Sequence, residues 1–372
     1  MRQMKRLLCI VSAMNTGGAE TFLMKMYRAI DREKYQMDFC VNSDTNFYEK
    51  EILELGGKIY TVPAKSQSLR GWYTETKRVV HDNGYRYVIR VCDHSLAALD
   101  LMVARQGGAD HLIMRSSNAS SGGGVRLLLH KMFQFLAITV PTVKLAPSTE
   151  AAEYTFGKSC VAKGNVTLLH NAIDTNIYHF DPEGRKRIRE ELGLDGMFVV
   201  GHVGRFNQQK NHEFLLDVFC ALQKKRPEAR LVLVGQGELE EQIRQKAHSL
   251  GIAPYVVFTG VRKDVPQLMS AFDVFVFPSL YEGMPNTVIE AQATGLPCVI
   301  SDTITKEADI TGLVKYLPLT DIEHWAEWAQ KVPAVRMNTK ELFHAQHYDI
   351  ASQAEVFVNC VFENLNGESS KW

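Results

Sequence analysis

The stretch FDVFVFPSLYEGMPNTVIEAQATGLPCVIS, residues 272–301, decides the fold. It opens on an apolar run, residues 273–278, with the length and composition of a strand buried on both faces of a parallel sheet. A loop follows, which Gly283 and Pro285 keep from being helical. Asn286 or Thr287 then reads as the cap of a short helix that Gly295 and Pro297 end. A second strand, residues 298–301, completes a strand-loop-helix-strand unit. Two glutamates mark it, Glu282 and Glu290, with seven residues between them. Glu282 falls in the crevice beyond the strand end, and Glu290 about one turn (~5 Å) into the helix. Between them lies the helix N-terminus, whose N–H groups suit a phosphate. A carboxylate on either side of a phosphate site is what a nucleotide-sugar needs, one acid on hexose hydroxyls and the other on ribose hydroxyls. The competing reading is a glycosidase acid and nucleophile. Glu290 on a helix beside cationic phosphate donors fits ligand holding better.

Working outward, 372 residues exceed one typical core and predict two domains. The seven cysteines are scattered, without a C-x-x-C pair, and several fall in strand-like runs, as reduced thiols of a cytoplasmic protein do. No run of eighteen apolar residues exists to span a membrane. The basic start and the run LLCIVSAM faintly resemble a signal peptide. Because NTGGAE and an amphipathic helix follow at once, a first strand is the better reading. Net charge is zero, yet residues 1–170 carry 22 Lys and Arg against 15 Asp and Glu, an excess of +7 that the remainder cancels. Such asymmetry points to one face for an anionic partner, a membrane surface or a phosphate-bearing acceptor, or else to a mildly basic solvated surface.

In chain order, strands are expected near residues 7–12, 37–42, 58–62, 87–92, 111–116 and 143–148, with helices between them. After the junction LLHNAID the alternation restarts, with strands near 197–203, 230–234, 255–259, 274–277, 298–301 and 313–316, and a last helix at 349–364. Strand-helix alternation means parallel sheets covered on both faces, with ligands beyond the carboxyl ends of the strands. At such ends stand Thr16-Gly17-Gly18-Ala19-Glu20, where a backbone approach to a ligand and a plain turn are equally good readings, and Gly204-Arg205-Phe206-Asn207-Gln208-Gln209-Lys210. Arg205 can fork two phosphate oxygens and Lys210 supplies a compact charge. Gly235-Gln236-Gly237 lacks the third glycine of a dinucleotide fingerprint, so a tight turn is preferred to a nicotinamide site. Gly260, Val261 and Arg262 end another strand, where their backbone groups would line a base pocket. No D-x-D and no metal-ligand cluster is present, so no metal is expected and fixed cations must hold the leaving group. In residues 120–147, Gly122 to Gly124 read as flexible. Arg126, His130 and Lys131 beside Leu127, Leu128, Phe133 and Phe135 then fit either a membrane-surface helix or, more simply, a core-facing one.

These residues together resemble glycosyltransferase family 4, retaining transferases of the GT-B fold with two facing Rossmann-like domains, and especially its bacterial exopolysaccharide-type members. The likeness runs through most of the chain: GGAE, HNAID, GRFNQQK, VGQGEL, FTGVRKDV and PSLYEGMPNTVIEAQATGLPCVISD. It implies an α/β chain with an acceptor-side domain over residues 1–168, joined by the last helix near 349–366, and a nucleotide-sugar domain over 169–348. It implies a nucleoside-diphosphate sugar, most simply UDP-linked, as donor, no cofactor and no metal, and hexosyl or N-acetylhexosaminyl transfer to a glycan or lipid-linked acceptor in surface polysaccharide synthesis. The place would be the cytoplasm, with peripheral contact at the inner face of the membrane through the first domain. By resemblance, Arg205 and Lys210 match the diphosphate cations, Glu290 the acid on the ribose and Glu282 the acid near the sugar. Gly283, Met284, Pro285, Asn286 and Thr287 match the loop against sugar and phosphate, Gly17 and Gly18 the glycines closing from the first domain. One departure stands out. Where members often carry a histidine aimed at the sugar, this chain reads LIMRSSN, so Arg115 or Ser117 is expected to take that contact, or catalysis is impaired. A donor-binding subunit without turnover and a nucleotide-sugar epimerase of the same fold are the rival readings.

Overall fold

A computed structural model describes residues 4–15, 17–117, 124–333 and 335–363. Thr16, Asn118, Gly122, Gly123 and the segment after Gly367 lie outside these residues, as does the side chain of Arg126. The chain divides into two compact units, Met1–Ala172 with Ile350–Trp372, and Ile173–Asp349.

The first unit is built on seven parallel strands: β1 (Lys5–Ile10), β2 (Tyr35–Val41), β3 (Ile59–Thr61), β4 (Tyr87–Cys92), β5 (His111–Ser116), β6 (Val143–Ala146) and β7 (Thr167–Leu168), in the order β3-β2-β1-β4-β5-β6-β7. Six of them lie where the hydrophobic pattern predicts. The short β7 was not anticipated, because two exposed residues carry no apolar run. The segment after Asp349 belongs to this unit. Helix Ile350–Val358 and the π-helical turn Asn359–Glu363 bury Ala354, Phe357, Val361 and Phe362 in the core that also contains Phe22 and Tyr27. Phe362 stacks on Tyr35 at 4.7 Å, and Lys5 Nζ donates to the Phe362 carbonyl at 2.8 Å.

The second unit has six parallel strands: β8 (Phe198–Val203), β9 (Ala229–Val234), β10 (Val256–Gly260), β11 (Val274–Phe277), β12 (Cys298–Ser301) and β13 (Val314–Leu317), in the order β10-β9-β8-β11-β12-β13. Its strands are mainly apolar because helices cover both faces, giving one core cluster on each side of the sheet. Helix boundaries follow local chemistry. Helix Pro182–Leu192 starts where Asp181 accepts from the Gly184 amide at 2.9 Å, and stops at Gly193, whose φ is 65°. In both sheets the chain winds outward in two directions from the central pair, β1/β4 and β8/β11. The crevice beyond the carboxyl ends of that pair is the place for a ligand.

Candidate functional site

Lys210 and Glu282 leave the sheet at the β8/β11 switch point of the second unit, and the loops that carry them are stitched together. The Asn207 side chain accepts from the Lys210 amide at 3.1 Å, closing the 3-10 turn Gln208–Lys210. Asn211, left-handed at φ 53°, reverses the chain and donates from Nδ2 to the Pro278 carbonyl at 3.2 Å. The Leu280 amide donates to the Gln209 carbonyl, and Gln209 Nε2 to the Tyr281 carbonyl, each at 2.8 Å. The outcome is an ion pair of 2.6 Å between Lys210 Nζ and Glu282 Oε1, with the ammonium 4.6 Å above the Phe277 ring centre. The side chains are 17% and 11% exposed, so the pair is largely withdrawn from water. Lys210 expected on the diphosphate and Glu282 expected on the hexose thus stand as one unit.

Behind the pair lie two buried histidines. His202 Nδ1 bonds the Val276 carbonyl at 2.9 Å, and the rings of His202 and His212 meet edge to face at 4.6 Å. Burial pushes His202 down to about 4. Burial, then His202 and Lys210, pushes His212 down to about 2. Both rings are therefore neutral at ordinary pH. Gly204 gives this packing room, since a Cβ there would sit 3.0 Å from His202 Nε2.

Arg205 is placed differently from Lys210. It is 70% exposed and lies 3.2 Å from Glu238 Oε2. The two glycines of the Gly235-Gln236-Gly237 run explain the meeting. A Cβ on either would strike the backbone carbonyl of Gly204 or Phe206, and Gly235 has a φ of 138°. The run is a tight turn laid against the Arg205 loop, as the missing third glycine implied.

Helix Asn286–Ala293 follows Glu282, and here the expected cap is corrected. Pro285, not Asn286 or Thr287, is the N-cap, and no side chain closes the first turn. The Pro285 carbonyl takes the Val288 and Ile289 amides at 3.0 and 3.2 Å. Gly283 leaves open space where a side chain would stand, Met284 is half-buried, Asn286 is exposed and Thr287 half-buried. Glu290 is half-buried within the helix, and burial, then the Glu290 charge, pushes the Tyr178 phenol well above its ordinary value. Tyr178 was not anticipated; its one sequence signal is its place four residues after Asp174 of HNAID. Gly260 closes β10 with φ 68°, its carbonyl taking the Gly235 amide at 2.9 Å, and Val261 is 65% exposed. The Arg262 guanidinium is committed to Glu191 (2.6 Å) and Asp264 (2.7 Å), which leaves the backbone as what this residue offers a base.

In the first unit Gly17, with φ −74°, is the N-cap of helix Gly18–Ala29, again without a side-chain cap. Gly18 opens onto empty space, while the Glu20 carboxylate folds over the place of a Gly17 side chain. Both glycines are exposed. Arg115 and Ser117 do not stand as expected. The Arg115 side chain is turned inward and 1% exposed. Its Nη2 donates to the Leu169 carbonyl at 3.1 Å and to Asn171 Oδ1 at 2.8 Å, and its guanidinium stacks 3.5 Å over the Phe22 ring. With no carboxylate bonded to it among the described residues, burial pushes it down to about 9. Ser117 Oγ donates to the Cys92 carbonyl at 2.9 Å. Arg115 thus fastens the interior of the unit, and Ser117 ties the ends of β4 and β5.

The segment after Gly124 forms two helices, Val125–Met132 and Gln134–Thr139. His130 is buried, accepting from the Ser95 amide at 3.1 Å and stacked on Tyr154 at 4.3 Å, so it is removed from the expected cationic face. The core-facing reading fails for the other side. Leu128, Met132 and Phe135 are 60%, 58% and 56% exposed, Leu129 and Ile138 about a third, and Lys131 is exposed among them. No helix among the described residues is long and apolar enough to cross a membrane.

The chain is similar to known proteins along its whole length. The family described as "Glycosyl transferases group 1" matches residues 197–333, which span the whole of the β8–β13 sheet. EpsF of Bacillus subtilis (strain 168), named as a glycosyltransferase, is 34% identical over 379 residues, covering 99% of this chain and 98% of its own. The UDP-Gal:alpha-D-GlcNAc-diphosphoundecaprenol alpha-1,3-galactosyltransferase of Escherichia coli is 31% identical over 47% of this chain and 46% of its own. Among solved structures, Anabaena HepE in complex with UDP superposes with a TM-score of 0.72 at 20% identity, over 96% of each chain. The fold is GT-B, and with a relative of this identity matched from end to end, the chain belongs to the group 1 glycosyltransferases, family 4.

Proposed function

We propose that this glycosyltransferase moves a hexosyl or N-acetylhexosaminyl group, with retention at the anomeric carbon, from a UDP-sugar to a glycan or lipid-linked acceptor of a surface polysaccharide. The observation that carries the reading is the Lys210–Glu282 pair at the switch point, followed by a helix with no side-chain cap and by Glu290 one turn on. Lys210 and Arg205 take the diphosphate with the first-turn amides, Glu282 the hexose hydroxyls and Glu290 the ribose. The backbone of Gly283 to Thr287 lies along sugar and phosphate, and that of Gly260 to Arg262 along the base. HepE is solved with UDP and with UDP-glucose, and the E. coli relative is named for a UDP-sugar donor and a diphosphoundecaprenol acceptor, which supports both partners.

In the proposed reaction the sugar–phosphate bond breaks as the acceptor oxygen approaches the same face, and the departing diphosphate takes the acceptor proton. Negative charge gathers on the leaving group, and stabilising it supplies most of the rate. Fixed cations and helix amides fill the role a divalent ion has elsewhere, so transfer is expected to persist in chelator. The exposed stripe Leu128, Met132 and Phe135 with Lys131 is proposed as the face that rests on the bilayer holding such an acceptor.

A donor-binding subunit without turnover is the second reading, favoured by one observation: Arg115 and Ser117 are both spent on protein partners. Incubation with UDP-glucose, UDP-galactose and their N-acetyl analogues, with and without lipid-diphosphate acceptors, separates these. Acceptor-dependent UDP release and an α-linked product from an α-donor are expected. Binding without release in every mixture would leave only the binder. Conversion of donor with no acceptor would make the protein an epimerase, and a β-linked product would end the claim of retention.

A further inference from the structure

The amino ends of β8 and β11 lie at the opposite edge of the second unit's sheet from the Lys210–Glu282 pair. Three guanidinium groups gather there around Asp273, the residue just before β11. Arg185 and Arg189, one turn apart on helix Pro182–Leu192, donate to its two oxygens at 2.7 Å each. The Val199 amide donates to the second of these oxygens at 2.8 Å. The same two arginines and Arg336 close the end of helix Val265–Ala271. Arg185 Nη1 donates to the Ser270, Ala271 and Phe272 carbonyls, Arg189 Nε to that of Ala271, and Arg336 Nη2 to those of Met269, Ser270 and Phe272. Arg336 has no ion-pair partner among the described residues. Burial, then the Arg185 charge, pushes it down to about 9. Three cations thus share one carboxylate and a helix end worth at most about half a negative charge. The cluster is short of negative charge.

These groups line a cleft of about 600 Å³, a size usual for small-molecule sites. Arg226 and Glu228 complete its charged lining, which then holds four arginines against two acids. Two of the guanidinium groups lie on aromatic rings, Arg226 3.7 Å over Phe198 and Arg336 5.3 Å over Phe180. A guanidinium held by its face keeps its edge, a planar fork of N–H donors, for oxygens. Arg226 gives Nε to Glu228 at 2.7 Å, which fixes the fork, and its two terminal nitrogens bond nothing among the described residues. The same is true of Nε of Arg336. Closing a helix end accounts for Arg185 and Arg189. It does not account for Arg226, which bonds none of those carbonyls. We propose that this cleft is a second binding site, separate from the donor crevice, for a phosphate dianion, free or as the monoester of a small molecule. Arg226 and Arg336 hold its oxygens, and the charge of Arg185 and Arg189 supports them.

The test titrates inorganic phosphate and, in parallel, glycerol 3-phosphate into the full-length protein by calorimetry at constant ionic strength. Saturable binding of either supports the site, and the tighter of the two names its source. Arg226→Gln leaves the helix end untouched and removes the open fork, so binding should weaken roughly 10- to 100-fold. Arg226→Lys, which keeps the charge without the fork, should recover part of that loss. Lys210→Met, at the other edge of the sheet, should bind within twofold of wild type. No saturable binding in wild type would mean that the arginines serve only the helix end, and the proposal would fall. Wild-type affinity in Arg226→Gln would equally overturn it, and a loss confined to Lys210→Met would place the anion in the donor crevice instead.

Discussion

Lys210 and Glu282 satisfy each other at 2.6 Å in a place largely closed to water, so neither charge is isolated before a donor arrives. A diphosphate entering there gains the ammonium without the full cost of stripping a solvated lysine. Lys210→Met removes that cation and leaves Glu282 buried and alone. About 100-fold loss in kcat/KM is expected, in line with the removal of one charge-stabilising group. Glu282→Gln, which keeps the shape, should instead raise KM more than it lowers kcat. Steady-state kinetics with the best donor separates the two, and equal effects on kcat would remove the distinction. Gly235 offers a test of backbone rather than charge. Its φ of 138° and the Gly204 carbonyl against it exclude a methyl group. Gly235→Ala should cost more than about 2 kcal/mol in urea unfolding and displace the Arg205 loop. Retention of wild-type stability would mean that the loop adapts. Arg115 shows what the sequence withheld. Alternation along β5 puts Arg115 and Ser117 on one side of the sheet, but that Phe22, Leu169 and Asn171 cover that side is a matter of packing.

The strands were legible because a parallel sheet covered on both faces demands mainly apolar runs, and β4, β5, β8, β11 and β12 carry them within a residue of the expected bounds despite Arg90, Arg115 and His202. The Lys210 and Glu282 loops were legible as neighbours for the same reason, since both end strands of one switch point. Their pairing was not, because it depends on hydrogen bonds of Asn211 and Gln209 that no local pattern announces. Nor was the histidine pair behind them. With His202 at about 4 and His212 at about 2, each folded value lies below the ordinary 6.5. The unfolded chain therefore takes up protons first as the pH falls. Stability from these rings is complete above about pH 6.5 and declines below it, by up to about 1.4 kcal/mol per pH unit for each ring. Urea midpoints between pH 7.5 and 5 should fall in wild type. They should fall less steeply in His212→Phe, whose ring nitrogens have no partner to lose among the described residues. Parallel slopes would acquit the pair. The helices Val125–Met132 and Gln134–Thr139 make a separate claim through their outward face. Replacing Leu128 and Phe135 by Gln together should reduce sedimentation with anionic lipid vesicles several-fold and leave UDP affinity unchanged. Unchanged sedimentation would end the membrane proposal.

Taken entire, the molecule is two sheets of one topology, and the order in which the chain visits them has a consequence for how it comes apart. After completing the second unit at Asp349 the chain contributes Ala354, Phe357, Val361 and Phe362 to the first unit's core, against residues more than three hundred positions earlier. The alternation of strands and helices foretold a last helix but not its cost if lost, since that depends on which hydrophobic faces it covers. Phe357, Val361 and Phe362 are fully buried, and each is worth about 2 kcal/mol. Lys5 loses its bonds to Phe362 and Glu363 at the same time. For a unit of ordinary marginal stability that sum is a large share of the total. A chain truncated after Asp349 should therefore have a first unit that is unfolded or melts far below the full-length protein. The second unit, whose core and whose Lys210–Glu282 pair lie within Ile173–Asp349, should keep its fold. Limited proteolysis with UDP present should then leave a resistant fragment beginning near Ile173, whose affinity for UDP differs little from that of the whole chain, while transfer is lost. A first unit that survives truncation with an unchanged melting transition would show that the terminal segment is an accessory to that core rather than a part of it.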